Sequence, residues 1–154
     1  MAMLSSAAHA MAPSDVYKFD ELRTSAANRR TTECYTTSKF ANLHYATALA
    51  EREKKVKVVP VHPGMVATNL DHSSTDIFLR PFLYAAILLA ATPVEKGALS
   101  QIFAAVSPEA EHGQYYGPIG KVETGSKLSG NHDLQERLFR WIQGELSSHV
   151  ETIM

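Results

Sequence analysis

Apolar residues recur at helical spacing between residues 33 and 52. Phe40, Leu43, Ala46 and Leu49 form the stripe, and Ala41 and Ala48 allow close packing. Thr31 or Thr32 is placed to cap this helix, with Glu33 in its first turn. The charged run EREKK, residues 51 to 55, reads as a solvated helix end. VKVVPV, residues 56 to 61, is short, β-branched and bounded by turn signals, the pattern of a buried strand. Pro60 removes one ladder donor, which counts against an ordinary central position. Upstream, MLSS at residues 3 to 6 reads as the tail of a strand. Residues 9 to 31 read as a long loop with one short helical turn near Phe19 to Arg23. Downstream, a helix is predicted over roughly 77 to 91. Another starts at Thr92-Pro93, with Thr92 as cap, Pro93 at the first helical position and Glu95 in the first turn, and ends before Pro108. GQYYGPIG, residues 113 to 120, predicts a strand with a turn. Leu134, Leu138, Trp141 and Ile142 mark a last amphipathic helix over about 133 to 147. Helices alternating with strands predict an α/β architecture.

Composition narrows the class. The chain has 154 residues, which suits one domain, and is 45% apolar and 20% charged, as in a globular protein. The formal net charge of -1, with acids and bases mixed along the chain, argues against a nucleic-acid-binding surface. Cys34 is the only cysteine, so no disulfide forms within the chain; a reducing, cytoplasmic compartment is expected. The segment MAMLSSAAHAMAP lacks the basic start and long apolar stretch of a signal peptide. The most apolar run, IFLRPFLYAAILLAA at residues 77 to 91, is short for a bilayer span and is interrupted by Arg80 and Pro81. A buried or lid helix is expected there rather than a membrane contact. No metal-ligand pattern is read from the sequence.

Candidate chemistry sits on the first long helix. Tyr35 and Lys39 are four residues apart and share one helix face. An ammonium close to a phenol favours the phenolate, and a phenol so placed exchanges a proton with a substrate oxygen. With six tyrosines in the chain, the same spacing also arises by chance on a surface helix. Its neighbours give it weight: Ser5-Ser6-Ala7-Ala8-His9 at a strand end upstream, then HPGMVAT at residues 62 to 68, and TPVEKGA at residues 92 to 98. The Pro63-Gly64 turn falls at the carboxyl end of a strand, where α/β folds place ligands.

This ordered set resembles the short-chain dehydrogenase/reductase superfamily, and most closely its retinol-dehydrogenase-like branch. The resemblance runs from Ser5 to the last helix. It implies a Rossmann-like domain, here a few-stranded, mostly parallel sheet with flanking helices, spanning residues 1 to 154 as one incomplete unit. It implies that Ser6 hydrogen-bonds the substrate oxygen and that Tyr35 is the general acid/base. It implies that Lys39 favours the phenolate and holds the nicotinamide ribose, that Pro63, Gly64, Val66 and Thr68 line the nicotinamide and nearby phosphate of NAD(P), and that residues 70 to 91 form a lid over a hydrophobic substrate. On their own, Ser6 and Thr68 read as caps of a strand end and a turn.

The family's glycine-rich phosphate loop and Asn-Asn-Ala-Gly strand end have no counterpart in this chain. Gly113, Gly117 and Gly120 read as turns around the last strand, because no helix opens directly after them. The chain therefore resembles the C-terminal half of such an enzyme. The 56-to-61 strand is expected to lack a sheet neighbour on one side, and a second copy or a partner chain to complete the sheet. Three functions follow: an alcohol/ketone oxidoreductase, a redox-independent acid/base enzyme (isomerase, dehydratase or cyclase) reusing Ser6, Tyr35 and Lys39, and a non-catalytic interaction protein.

Overall fold

A computed structural model describes residues 1–66 and 92–150. The predicted helix over 77 to 91 and the lid lie outside the described residues. Two strands, β1 (Ala2–Leu4) and β2 (Val59–Val61), pair in parallel with Leu4 opposite Val61. Helix α1 (Phe19–Leu22) sits in the long loop, and α2 (Thr31–Arg52) connects the two strands. Helix α3 (Val94–Val106) and α4 (His132–Val150) follow β2. Short 3₁₀ turns cover Ala7–Met11 and Pro118–Gly120. The α/β prediction and the positions of these elements agree with the sequence pattern.

Side-chain alternation splits the core into layers. On one face of the sheet Val59, Val61 and Tyr116 pack with Ala104 and Phe103 of α3. On the other, Val58 and Met3 meet Ala46 and Ala50 of α2. Behind α2 a third cluster joins Phe40, Val16, Tyr17 and Leu138, with Trp141 and Ile142 of α4. Helix α2 is thus covered on two sides, by the sheet and by α4, which explains buried residues around much of its circumference. Phe40 is completely buried, and removing its ring costs about 3–5 kcal/mol by the usual scale of core truncations.

The structure corrects several expectations. Arg30, not Thr31 or Thr32, precedes α2, and its side chain makes no capping bond. Glu33 does lie in the first turn. Neither does Thr92 cap α3; Pro93 takes the capping position and Thr92 bridges Val66 instead. The 56-to-61 strand shortens to its last three residues, because Val58 N–H turns to His112 Nδ1 at 3.0 Å. GQYYGPIG forms single bridges from Tyr116 to Val61 and Val122 rather than a full strand. Those bridges also overturn the expected missing neighbour. β2 has β1 on one side and Tyr116 on the other, with His62 N–H donating to Tyr116 O at 2.9 Å and Tyr116 N–H to Pro60 O at 3.1 Å. Pro60 is tolerated there because its absent donor would face this irregular segment and not β1. Among the described residues, the edge left open is the outer side of β1. By strand alternation Ala2 and Leu4 point their backbone groups there, and Asn42 Nδ2 donates to Leu4 O at 2.9 Å.

Histidines fasten the layers. His44, fully buried, accepts from the Tyr17 hydroxyl at Nδ1 (3.1 Å) and donates from Nε2 to Leu128 O (3.1 Å). His112 accepts from Val58 and donates from Nε2 to Ala50 O at 2.7 Å, closing the C-terminal end of α2. Burial pushes His44 down to about 4, against the Leu128 carbonyl, which raises it. A histidine lowered on folding contributes stability above its unfolded value of about 6.5 and loses it as pH falls toward the folded value. We expect urea unfolding to show about 2 kcal/mol less stability at pH 5 than at pH 7.5 from this group. In His44→Leu the difference between the two pH values shrinks; an unchanged difference would show that His44 is not its source. His62, also pushed down by burial, accounts for part of what remains.

Candidate active site

The end of β1 is tied to α2. Ser5 N–H donates to Val61 O at 2.8 Å, carrying the parallel ladder one residue past the strand. Ser5 Oγ, buried, donates to Lys39 O at 2.7 Å. With the Asn42–Leu4 bond, these contacts fix the strand end beside the 39-to-42 turn of the helix. Ser6 follows in extended conformation, and its Oγ accepts from Ala8 N–H at 3.2 Å, capping the 3₁₀ turn. That is the capping role its sequence position suggested. A hydroxyl that accepts one N–H retains its own proton for donation, so capping and substrate contact are compatible.

Tyr35 and Lys39 are half-buried on one face of α2, as the spacing predicted. The Lys39 ammonium stands 5.6 Å from the Tyr35 ring centroid, over the ring. Ser38 is not part of this pair; its hydroxyl bonds back to Tyr35 O at 2.7 Å and is exposed. Pro63 and Gly64 leave the end of β2. Because Leu4 pairs with Val61, Ser6 and Pro63 each lie two residues beyond paired positions on neighbouring strands. Gly64 adopts φ 79°, which favours glycine, and a Cβ there would lie 3.0 Å from Pro118. Val66 then bridges Thr92, and Gly97 makes room for it: a Cβ on Gly97 would come within 2.6 Å of the Val66 side chain. Thr68 lies outside the described residues. Ser6 and Pro63 thus follow the carboxyl ends of two parallel strands, and the Lys39 carbonyl is tied to the residue before Ser6.

Behind the site lies a polar layer that the sequence reading did not single out. His9 Nδ1–H donates to Ser6 O at 2.7 Å, so the histidine holds the serine's own backbone. Tyr115 stands edge-on to His9 at 5.6 Å and tilted to His62 at 5.5 Å between ring centroids. Burial pushes Tyr115 up to about 12, opposed by the nearby Ser5 hydroxyl. Burial also lowers His62, against the raising effect of Glu123. His9 Nε2 is buried with no hydrogen-bond partner among the described residues. No signal in the sequence joins them, because positions 9, 62 and 115 are far apart along the chain.

A second polar group lies away from this site. Arg52, His132, Asp133, Glu136, Arg137 and Arg140 line an open groove of about 690 Å³ between α2 and α4. Glu51, His132 and Glu136 bring ligand atoms within 4.8 Å of one another. Arg52 and Arg140 already engage Glu136, and Arg52 holds its carboxyl below the usual carboxylate range. The group is an ion-pair network. Among the described residues, no helix is long and apolar enough to cross a membrane.

No protein-family model matches the chain, and no solved structure matches it. Curated relatives do. The short-chain dehydrogenase/reductase drtF of Aspergillus calidoustus is 33% identical over 114 residues, covering 71% of this chain and 36% of that protein. Retinol dehydrogenase 14 of Homo sapiens is 36% identical over 111 residues, 68% of this chain and 32% of that protein. Its namesake in Mus musculus is 34% identical over 120 residues, 71% and 36% respectively. The chain spans about a third of the length of these relatives. Identity at this level over some seven-tenths of its residues makes the chain a member of the short-chain dehydrogenase/reductase superfamily.

Proposed function

We propose that this chain carries the acid/base part of an oxidoreductase interconverting an alcohol and a carbonyl on a hydrophobic small molecule, with NAD(P) as cofactor. The observation that carries the reading is the half-buried Tyr35–Lys39 pair, tied through Lys39 O to the strand end that bears Ser6. In the oxidative direction the Tyr35 phenolate accepts the substrate hydroxyl proton; in the reductive direction Tyr35 returns it to the carbonyl oxygen. Lys39 supplies the nearby positive charge that favours the phenolate. Ser6 donates a hydrogen bond to the same substrate oxygen and orients it.

The donor set fits one end of a dinucleotide. The Tyr35 hydroxyl and the Lys39 ammonium suit a ribose diol, and Pro63, Gly64, Val66 and Thr68 would flank the nicotinamide. Bound NAD(P) supplies or accepts the hydride. Among the described residues no glycine-rich turn opens a helix, so the fit is to the nicotinamide–ribose end and not to the pyrophosphate. The apolar composition of residues 77 to 91 supports a hydrophobic substrate, as do the two relatives named for retinol. The open outer edge of β1 supports a second copy or a partner chain completing the sheet. The single cysteine supports a reducing cytoplasmic setting.

Three outcomes follow. Tyr35→Phe should lower turnover at least about 100-fold while circular dichroism and unfolding midpoint stay unchanged, since one positioned acid/base contributes that much. Turnover within a few-fold of wild type rejects the assignment. Calorimetry with NADH and NADPH at millimolar concentration should detect weak binding; the absence of heat with both cofactors excludes autonomous redox use. Native mass spectrometry should show an assembly larger than one chain, and a purely monomeric spectrum at micromolar concentration removes the completed-sheet proposal.

A further inference from the structure

His62 is the last residue that the β2 ladder holds, through its N–H bond to Tyr116 O. Its side chain reaches forward instead of away: Gly64 N–H donates to His62 Nδ1 at 3.2 Å. The ring itself has little freedom. It is buried, faces the Tyr115 ring at 5.5 Å, and lies against Gly117, where a Cβ would come within 3.1 Å of Nε2 and 2.7 Å of Glu123 Oε1. Gly117 therefore admits both His62 and Glu123 to the same space. We infer that His62 is a positioning residue, whose Nδ1 sets the shape of the Pro63–Gly64 turn that receives the nicotinamide end of the cofactor. The inference rests on the reading proposed above, in which that turn flanks the nicotinamide.

The chemistry is demanding in one respect. A ring nitrogen that accepts an N–H carries no proton, so neutral His62 must hold its proton on Nε2. Leucine at this position fills similar space without an acceptor. Asparagine places Oδ1 close to where Nδ1 stands and keeps the acceptor while losing the ring. A purely space-filling role predicts that leucine is tolerated better than asparagine; a positioning role predicts the reverse.

The test uses the isotopically labelled chain and the variants His62→Leu and His62→Asn. In the wild type, nitrogen shifts should report the Nε2–H tautomer of His62, and the Gly64 amide should exchange slowly. In His62→Leu the Gly64 amide should exchange rapidly while the Val59 amide, bonded to Met1 O in the sheet, stays protected. Asparagine should restore the Gly64 protection. Dissociation constants for NADH or NADPH should rise about fivefold in the leucine variant, the ratio set by one neutral hydrogen bond, and return toward wild type in the asparagine variant. An Nδ1–H tautomer, unchanged Gly64 exchange in His62→Leu, or equal cofactor affinity in the wild type and His62→Leu overturns the inference. If His62→Leu does not fold, the wild-type tautomer and the asparagine variant still decide it. Failure of the wild-type chain to bind either cofactor overturns the underlying reading and the cofactor role with it, while the amide data separately decide the hold on the turn.

Discussion

The candidate site depends on one buried hydrogen bond, from Ser5 Oγ to the Lys39 carbonyl. Its energy is ordinary, about 1 kcal/mol net. Its importance is geometric. Ser5 is fixed in the sheet by its N–H bond to Val61 O, and Lys39 is fixed by a helix covered on two sides. The bond joins these two rigid parts at the residue preceding Ser6 and at the lysine of the Tyr35 pair. The strand end that bears Ser6 and the helix turn that bears Lys39 therefore keep their relation. The parallel register adds the third part, since Leu4 opposite Val61 sets Ser6 level with Pro63.

Much of this frame was legible because it is local. Helix α2 showed its apolar positions at helical spacing, and it runs to Arg52 as expected. The short turn of helix α1 and the buried segment before His62 were legible from residue type alone. What failed depended on partners remote in sequence. Val58 looks like a strand residue by composition, but His112, 54 positions later, takes its N–H. Thr92 looks like a cap, but Met65 O accepts its N–H at 2.9 Å and Val66 bridges it. Pro60 looked misplaced in a central strand because the sequence does not disclose which side of the ladder its missing donor would face.

The site followed the same division. Tyr35, Lys39, Pro63 and Gly64 were named from short spacings, to which the structure adds the shared helix face of the first two and the positive φ at Gly64. His62 and Tyr115 were not assigned because their role emerges only when residue 115 is folded back beside residue 62. Ser6 lies between these cases. Its capping bond to Ala8 is a local matter, and its place beside α2 comes from Ser5, a neighbour whose hydroxyl had no assigned role.

Proton placement separates scaffold from site. His44, His62 and His112 each use one ring nitrogen to accept a hydrogen bond from a hydroxyl or a backbone N–H. Each arrangement requires a neutral imidazole, and burial reinforces it at His44 and His62. The buried Tyr115 is likewise held in its protonated form by desolvation. These buried rings are therefore neutral hydrogen-bonding groups that orient their partners, while Glu123 beside His62 carries the charge nearest to them. Lys39, half-buried, instead carries its ammonium over the Tyr35 ring, 5.6 Å from the centroid, so this charge of the candidate site sits on the helix face and not on the buried imidazoles.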